Sequence, residues 1–556
     1  MRRLRWIAIG WVVVFWRLGY PSLLDPDEAH YAELTREMLH SGSWLVPLLD
    51  GKPFIDKPVL FHWLQGASVG LLGETEFAAR LPSALAALAL FATTRWVGTA
   101  LLGAEVGEWG AIMFATVPAT FALASIAVFD MVFTAFLFGG LACLLVAAKE
   151  RKPFLEYPGY GLITLAVMTK GPVALVLLLL FIFAAALSGA ETRERMRELR
   201  WKRGVVAIAL AASPWFIWMA GRFGSTFVEH YLLAGNLWYF TQPVEFSSRA
   251  ISHTFYARVF ASAFFPWSTI VIGRAVDIIR HARDEFRLSP DEKLLWIWTI
   301  VVVGFFSAAR FKLDHYIFPA APTCCLLAAR AWRQSAHDPE NKTTATRFSI
   351  LAVGGLLIVG ASFSSVYLFE LGLELPRSAL ALPLALGVGG IAVLTQSALR
   401  GWRTPRTAGA LVTALLAAYF VVTSVGYPVL EQTRPAALVA RHLRRVTAEE
   451  SPTALYRLER WRASLRYYLG RPIQRLEHPE EVSAFLLQSR PVYIVMLRRE
   501  YDALRKQGLP IRLLMQHRAV VGTTGKGLRR QRWGFLVVAT NMPPEPISVS
   551  DRRREQ

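Results

Sequence analysis

Cysteine is scarce in this chain: Cys143, Cys324 and Cys325 are the three cysteines among 556 residues. All three lie within apolar runs, which argues against a disulfide framework and against a cysteine-rich metal site. We expect them to be small buried hydrophobic side chains. Charged residues are also few, at 18% of the chain, and acidic residues number 41 against 61 Lys and Arg. Apolar residues are abundant instead, at 54%.

The apolar residues recur in runs of about the 20 residues that are needed to cross a bilayer. The sequence therefore predicts a mainly α, polytopic helical membrane protein. The first run, near residues 6–22, follows Arg2, Arg3 and Arg5 and resembles a signal peptide. No small-residue cleavage site follows it, so we expect a retained first span.

The positions of Lys and Arg predict how the chain threads the membrane, because short cytoplasmic loops are enriched in both. Basic clusters occur at residues 2–5, 149–152, 193–203, 280–287, 330–347 and 400–406. Thirteen spans place all of these clusters in the cytoplasm, near 6–22, 78–100, 107–127, 130–148, 157–170, 172–188, 204–221, 257–279, 293–309, 314–331, 347–369, 379–399 and 406–427. The N-terminus is then cytoplasmic, and the segment from Thr433 onward lies outside.

This scheme requires that residues 58–73 do not cross. The segment has about 16 residues, fewer than a span needs, and we expect a helix along the outer interface. If it did cross, every later loop would change sides.

The predicted topology gathers polar side chains at the outer face. They are Asp27, Glu28, Asp56, Lys57, Asp130, Lys170, Glu229, His230, Arg310, Lys312, Asp314, His315 and Tyr316. Asp130, Lys170 and Arg310 stand at the ends of apolar spans, where an unpaired charge is costly. A shared polar site explains them better than ordinary solvated loops do.

Several short motifs accompany these residues. They are Asp27–Glu33, Asp56–Pro58, Ala79–Pro82, the lone Asp130, Thr169–Pro172, Phe265–Trp267 and Lys312–Tyr316. Their order and spacing resemble the signature of membrane glycosyltransferases of the GT-C superfamily, in the branch with bacterial aminoarabinose transferase and the protein O-mannosyltransferases. The segment Trp461–Arg471 is similar to a motif of that branch's extracytoplasmic domain.

The resemblance implies a fold, a location and partners. It implies a bundle of transmembrane helices, about 13 by the Lys and Arg pattern above, with outer juxtamembrane helices and a small C-terminal α/β domain in a bacterial inner membrane. The donor would be a sugar on a polyprenyl phosphate, and the acceptor an extracytoplasmic glycolipid such as lipid A, a polysaccharide or a protein. We expect a transferase domain over 1–430, with an outer loop at 21–77, a basic domain over 433–541 and a disordered tail at 542–556.

Sugar transfer from a lipid phosphate needs a carboxylate for the acceptor and positive charge for the leaving phosphate. The resemblance implies that Asp27 is catalytic, that Glu28 supports it, and that Asp130 orients the acceptor or a metal. All three also suit the start of a helix, where a carboxylate is favourable without any catalytic role.

Six residues are candidates for binding the donor phosphate. They are Lys57, Arg80, Lys170, Arg310, Lys312 and Tyr316. The alternative for the cations is that they only extend to the membrane surface from apolar stems.

The chain departs from the family at two positions, with His30 in place of an Arg and Asp56 in place of a Glu. Whether the protein uses a divalent metal ion as a cofactor therefore stays open. Asp56 with His230 or His253 is a candidate set of divalent-metal ligands without firm spacing, and a structural histidine is the alternative.

From Thr433 onward the chain carries 24 Lys and Arg against 11 Asp and Glu, a surplus of 13. This surface attracts anionic lipid or an anionic acceptor, or is merely solvated; nucleic acid is not expected as a partner. Two other classes compete with the enzyme: a transporter or flippase, and a non-catalytic binding protein of the same fold. We see no internal inverted repeat of the kind that many transporters have.

Overall fold

The computed structural model describes residue 5 and residues 8–241, 254–281, 288–336, 342–370, 375–400, 405–458, 461–524 and 530–542. The chain divides into two compact units. The first unit comprises Met1–Tyr20, Leu34–Val366 and Pro376–Gly426, and the second comprises Pro21–Glu33, Tyr367–Leu375 and Tyr427–Gln556. Residues 543–556 of the predicted tail at 542–556 and the candidate ligand His253 lie outside the described residues.

The first unit is built of helices. Its α-helices are Leu60–Leu72, Glu76–Leu102, Ala104–Thr116, Pro118–Ala124, Phe129–Glu150, Glu156–Lys170, Val173–Leu187, Ala190–Glu198, Trp201–Phe223, Ser225–Phe227, Tyr239–Thr241, Phe255–Ala263, Trp267–Arg280, Pro290–Ala308, Ala321–Ala336, Ala381–Arg400 and Pro405–Val421. Two further helices, Asp27–Ser41 and Thr344–Glu370, each contain a boundary between the units. Wider π-helical turns occur at Trp11–Phe15, Val228–Trp238 and Val422–Gly426, and tighter 3₁₀ turns at Pro153–Leu155, Asp314–Ala320 and Arg377–Leu380. Strands β1 (Leu48–Leu49) and β2 (Lys52–Pro53) form a short antiparallel hairpin.

Six of the described helices are long and apolar enough to cross a membrane, and the number is eight if each of two bent helix pairs is one span. The chain is therefore a multi-pass membrane protein, as predicted. Phe129–Glu150 is the most deeply buried of these helices. It packs against Glu156–Lys170, where Gly140 and Gly159 let the two backbones approach closely. The three cysteines are buried, as expected.

The chain bends sharply where the sequence predicts two of the spans. Near 107–127, one helix ends at Thr116 and the next begins at Pro118, with an angle of 65° between them. Proline cannot donate a backbone hydrogen bond and pushes the residue before it out of the helical region, as the extended Val117 shows. Near 257–279, two helices meet at 118° on either side of Pro266. The helix expected at 58–73 is present as Leu60–Leu72.

The second unit contains helices Tyr427–Thr433, Ala436–Val446, Arg462–Leu469, Pro479–Leu486 and Arg498–Lys506. Its strands are β3 (Thr453–Tyr456), β4 (Gln474–Leu476), β5 (Tyr493–Leu497), β6 (Arg512–Thr524) and β7 (Arg530–Thr540). They form one sheet in the order β4-β3-β5-β7-β6. β3 is parallel to β4 and β5, whereas β7 is antiparallel to β5 and β6. The core of this unit includes Tyr456, Ile494, Met496, Val537 and Ala539, all nearly inaccessible to solvent.

Candidate active site

The acidic motif lies at the start of the Asp27–Ser41 helix. Asp27 and Glu28 occupy its first turn, where the backbone N–H groups favour negative charge. Asp27 is exposed, whereas Glu28 is only 2% exposed. A Glu28 oxygen accepts a hydrogen bond from the backbone N–H of Leu24, at 2.8 Å. Glu28 therefore supports the turn that precedes the helix, and Asp27 is the member of the pair that faces solvent.

The segment Pro21–Glu33 is anchored within the second unit on the side that precedes Asp27. Asp25 accepts hydrogen bonds from the backbone N–H of Ser464 at 2.8 Å and from its hydroxyl at 2.5 Å. Arg434 approaches the same carboxylate to 3.2 Å. Burial raises the pKa of Asp25, although the bonds from Ser464 and the charge of Arg434 oppose that shift.

A second anchor lies on the other side of Asp27. Glu33 pairs with Arg466 at 2.9 Å, and both side chains are buried, with 2% and 8% exposed. The backbone N–H of Leu23 also donates to the Tyr468 hydroxyl at 2.7 Å. Ser464, Arg466 and Tyr468 all belong to the helix Arg462–Leu469. This helix lies within the predicted motif Trp461–Arg471, so the motif holds the acidic segment.

Asp130, in the first unit, is the centre of a charged cluster. Lys170 Nζ lies 2.6 Å from one of its oxygens, and His315 Nε2 lies 3.5 Å from the other. The Lys170 ammonium also lies 4.5 Å from the centre of the Tyr316 ring. The structure thus brings together Asp130, Lys170 and Tyr316, which are widely separated in sequence.

Lys57 forms a further charged pair in the first unit. Its ammonium lies 3.1 Å from the carboxylate of Asp56 and retains partial exposure, at 18% of the side chain. The aspartate keeps 33% of its side chain exposed. The pair has enough access to solvent for Lys57 to contact an anionic ligand while it stays paired with Asp56.

Lys57 and Lys170 both line a cavity of about 350 Å³ in the first unit. The other lining residues are Pro172, Val173, Val176, Leu232, Gly235, Asn236, Leu237, Phe240, Phe305, Phe306, Ala309, Phe311 and Tyr316. The lining is mostly aliphatic and aromatic, with two cations and a tyrosine. Such a cavity suits a ligand with an apolar body and an anionic group.

Three predicted phosphate-binding residues are absent from the lining of this cavity in the described part of the chain. Arg80 is 1% exposed and donates to the carbonyl of Leu18 at 3.0 Å. Lys312 donates to carbonyl groups at the end of the Pro290–Ala308 helix, including that of Ser307 at 2.6 Å, and burial lowers its pKa. Arg310 is exposed. A phosphate-binding role for these three stays a prediction.

The candidate metal ligand Asp56 and the backbone of His230 both lie close to Gly235. A Cβ atom at Gly235 would lie 3.3 Å from an Asp56 oxygen and 3.1 Å from the His230 carbonyl. Among the described residues, no group of three or more His, Cys, Asp or Glu side chains is placed to hold a metal ion. Asp56 and His230 therefore stay a predicted pair.

Two residues of this region have roles that the sequence did not reveal. His315 was placed on the outer face, but its contact with Asp130 was not foreseen. Tyr231 is 1% exposed and packs so closely on Gly171 that a Cβ atom there would clash with its hydroxyl. Burial and the charge of Asp56 raise the pKa of Tyr231. Gly171, directly after Lys170, is the residue in the sequence that could have indicated a close contact here. In the structure, its φ of +83° and its close neighbour both favour glycine.

Comparison with known proteins adds to this geometry. The family described as dolichyl-phosphate-mannose-protein mannosyltransferase matches residues 56–218. The solved structure of ArnT from Cupriavidus metallidurans bound to undecaprenyl phosphate superimposes with a TM-score of 0.74 at 20% identity, covering 98% of this chain and 99% of that one. The chain has the fold of that transferase. The predicted resemblance to GT-C membrane glycosyltransferases is thereby confirmed.

Curated relatives are similar over a shorter region. The undecaprenyl phosphate-alpha-4-amino-4-deoxy-L-arabinose arabinosyl transferase 1 of Sodalis glossinidius is 28% identical over 386 residues, which are 65% of this chain and 66% of the relative. The corresponding transferase of Pectobacterium carotovorum is 30% identical over 328 residues, 55% of each chain. The match thus spans less than two thirds of these relatives' own length.

Proposed function

We propose that this protein is a membrane glycosyltransferase that moves a sugar from a polyprenyl-phosphate donor to an extracytoplasmic acceptor. The observation that carries the proposal is the apolar cavity with Lys57 and Lys170 in its lining. A polyprenyl phosphate has the matching chemistry, a long apolar chain ending in an anion. The relatives named above act on undecaprenyl phosphate-alpha-4-amino-4-deoxy-L-arabinose by their names, so this is the first donor to test.

Lys57 and Lys170 have the charge that the departing phosphate needs. As the bond between the anomeric carbon and the phosphate oxygen breaks, the phosphate leaves with the bonding electrons and gains negative charge. Cations already held in place stabilise that charge without reorganising. Asp56 and Asp130, at 3.1 Å and 2.6 Å, hold the two ammonium groups. The contacts between the two ammonium groups and the phosphate grow stronger in the transition state, so they support rate as well as binding.

Asp27 is the proposed catalytic carboxylate. The acceptor's nucleophile attacks the anomeric carbon and loses a proton, which a carboxylate at hydrogen-bonding distance accepts. Asp27 is exposed, whereas Glu28 is buried and bonded to its own turn. In this proposal Glu28 keeps its supporting role, and Asp130 orients the acceptor through a carboxylate that Lys170 and His315 hold in place.

The transporter or flippase alternative has weaker support. A cavity with charged residues suits both classes, but the similarity of fold and the named relatives are on the side of the transferase.

The test is transfer by the purified protein in lipid nanodiscs, with undecaprenyl phosphate-alpha-4-amino-4-deoxy-L-arabinose as donor and lipid A as acceptor. Mass spectrometry should find an acceptor heavier by one aminopentose unit. If lipid A is not modified, the same donor is offered to extracts of surface glycolipid, polysaccharide and protein. Folded protein that moves the donor between leaflets and modifies no acceptor would overturn the proposal in favour of a flippase.

The proposal includes an orientation in a bacterial inner membrane, with thirteen crossings. The N-terminus is cytoplasmic, and both the 21–77 loop and a basic α/β domain over 433–541 are extracytoplasmic. The helix Leu60–Leu72 lies along the outer interface. Support comes from the distribution of Lys and Arg, since cytoplasmic loops are enriched in both.

Single cysteines test this orientation in a background without the three native ones. Lys52, Glu194 and Lys506 are all exposed and suit the replacement. An impermeant thiol reagent added to cells with a permeable outer membrane should label Lys52→Cys and Lys506→Cys but not Glu194→Cys. Labelling at Glu194→Cys without Lys506→Cys would invert the scheme.

A further inference from the structure

The acidic segment Pro21–Glu33 belongs to the second unit, together with the C-terminal part of the chain. Its carboxylates differ in what surrounds them. Asp25 and Glu33 are buried against Ser464, Arg434 and Arg466. Asp27 lies between them in sequence and is exposed. The two flanking carboxylates are therefore anchors, whereas Asp27, unlike the buried Glu28 beside it, is accessible to a reactant.

The anchoring side chains come from one short helix, Arg462–Leu469. Its first turn supplies Ser464, which donates to Asp25 through both its backbone N–H and its hydroxyl. Arg466 bonds Glu33, and Tyr468 accepts the N–H of Leu23. One rigid element thus contacts the acidic segment before and after Asp27.

The ends of this helix are themselves firmly placed. Trp461 precedes it with a φ of +67° and is 1% exposed, so a large buried ring fixes the start. Gly470 follows with a φ of +75°, in the left-handed region that ends helices. A helix with fixed ends has little freedom to adjust, so its contacts fix the position of the segment that they hold.

The chemistry of the anchors fits positioning better than acceptor binding. Glu33 and Arg466 are 2% and 8% exposed and pair with one another, so neither has much surface to offer a ligand. Asp25 and Arg434 are 11% and 16% exposed. A general base must be held close to its productive geometry, since small displacements lower rate steeply.

We propose that the helix Arg462–Leu469 positions Asp27, and that Ser464 and Arg466 are positioning residues that act through Asp25 and Glu33. This inference rests on the proposed function for its kinetic consequence. It gives the C-terminal part of the chain a share in the chemical step, beyond any role of its basic surface.

The test uses the double variant Glu33→Met/Arg466→Met. Removing Arg466 alone leaves a buried unpaired carboxylate and risks unfolding, whereas replacing both charges with apolar side chains of similar volume preserves packing. Arg466→Lys is the conservative variant. Arg498→Met is the matched control, because Arg498 belongs to the same unit and pairs with Asp502 of its own helix at 2.9 Å.

We expect the double variant to keep its melting temperature and its donor KM while kcat falls at least about tenfold, within the range that positioning contributes. Arg466→Lys should recover part of kcat, and Arg498→Met should match the wild type. An unchanged kcat in the folded double variant would overturn the proposal, as would a rise in acceptor KM with kcat unchanged.

A second readout is independent of transfer. A spin label on Asp27→Cys, in the background without native cysteines, reports the mobility of position 27 by electron paramagnetic resonance. The double variant should show greater mobility than its parent, and Arg498→Met should not. If the wild type transfers no sugar but the label loosens, the proposed function fails and the positioning stands. If the label is unaffected, the positioning is wrong whatever the activity.

Discussion

Lys57 and Lys170 of the first unit keep 18% and 12% of their side-chain surface exposed and line an apolar cavity. Asp25 and Glu33 of the second unit keep 11% and 2% exposed and are paired with arginines. Both regions contain short ion pairs that are at least partly buried. The two regions differ in whether one member of the ion pair lines a cavity that a ligand can enter. An ion pair is part of a binding site only where a ligand can replace or join one of its members.

Asp27→Asn sharpens this comparison most, because Asp27 is the exposed carboxylate of the anchored segment. We expect kcat to fall by about 10²- to 10⁴-fold, the range of general acid–base catalysis, with donor binding and melting temperature unchanged. Asp502→Asn, at a partly exposed position of the same unit, is the control. Wild-type turnover by purified Asp27→Asn would remove Asp27 from catalysis.

The pair Arg274–Glu292 tests the expectation that a buried ion pair away from the cavity has only a structural role. It is a buried pair of the first unit, 2.9 Å apart and with 2% of each side chain exposed, and neither residue lines the cavity. Arg274→Met should destabilise the fold by about 3–5 kcal/mol, because it leaves Glu292 buried without this partner. Thermal unfolding checks the loss. A raised donor KM in the fraction that remains folded would contradict a purely structural role.

Lys57→Ala should have a smaller effect, confined to the donor. The loss of a hydrogen bond to a charged group is about 1.5–3 kcal/mol, or about 10- to 150-fold in donor kcat/KM. Lys57→Arg should recover part of it, limited by the different shape of the guanidinium. Steady-state kinetics with varied donor provide the measurement. If Lys57→Ala leaves them unchanged while Lys170→Ala abolishes transfer, phosphate binding belongs to Lys170.

The smallest effect concerns Asp25 and pH. Burial raises its pKa in the folded protein above the ordinary value of about 3.9. A carboxyl with a raised pKa contributes stability that is complete below the unfolded-state value and is lost as pH rises through the folded-state pKa. The Asp25→Asn variant has no titratable carboxyl group at this position. Its melting temperature relative to the wild type should therefore increase from pH 4 to pH 7; a constant difference would mean that Asp25 does not titrate there.

Much of the fold could be predicted from the sequence, because hydropathy acts locally. A run of about 20 apolar residues has a favourable place only in a bilayer. The helix at Leu60–Leu72 was foreseen by the same argument from its length. The helix breaks at Val117, before Pro118, and at Pro266 were not predicted. Both prolines are visible in the sequence, but proline kinks some membrane helices and ends others.

The candidate site was only partly predictable. Lys57 and Lys170 line the cavity, and their positions beside apolar segments indicated a role at the membrane surface. Arg80 and Lys312 appeared equivalent to them in sequence, yet both donate to backbone carbonyls. An unoccupied carbonyl at a helix end competes for the same cations as a phosphate does, and the sequence does not show which of the two is near.

The sequence by itself determined that the chain crosses a membrane repeatedly, and it identified Asp27, Asp130, Lys57 and Lys170 as candidates. Only the tertiary structure decided that Asp130 meets Lys170 and His315, and that the motif near Trp461 grips Asp25 and Glu33. The physical reason is one of range. Hydropathy is summed over neighbours along the chain, whereas an ion pair forms between whichever charges the packing of distant helices brings within a few ångströms.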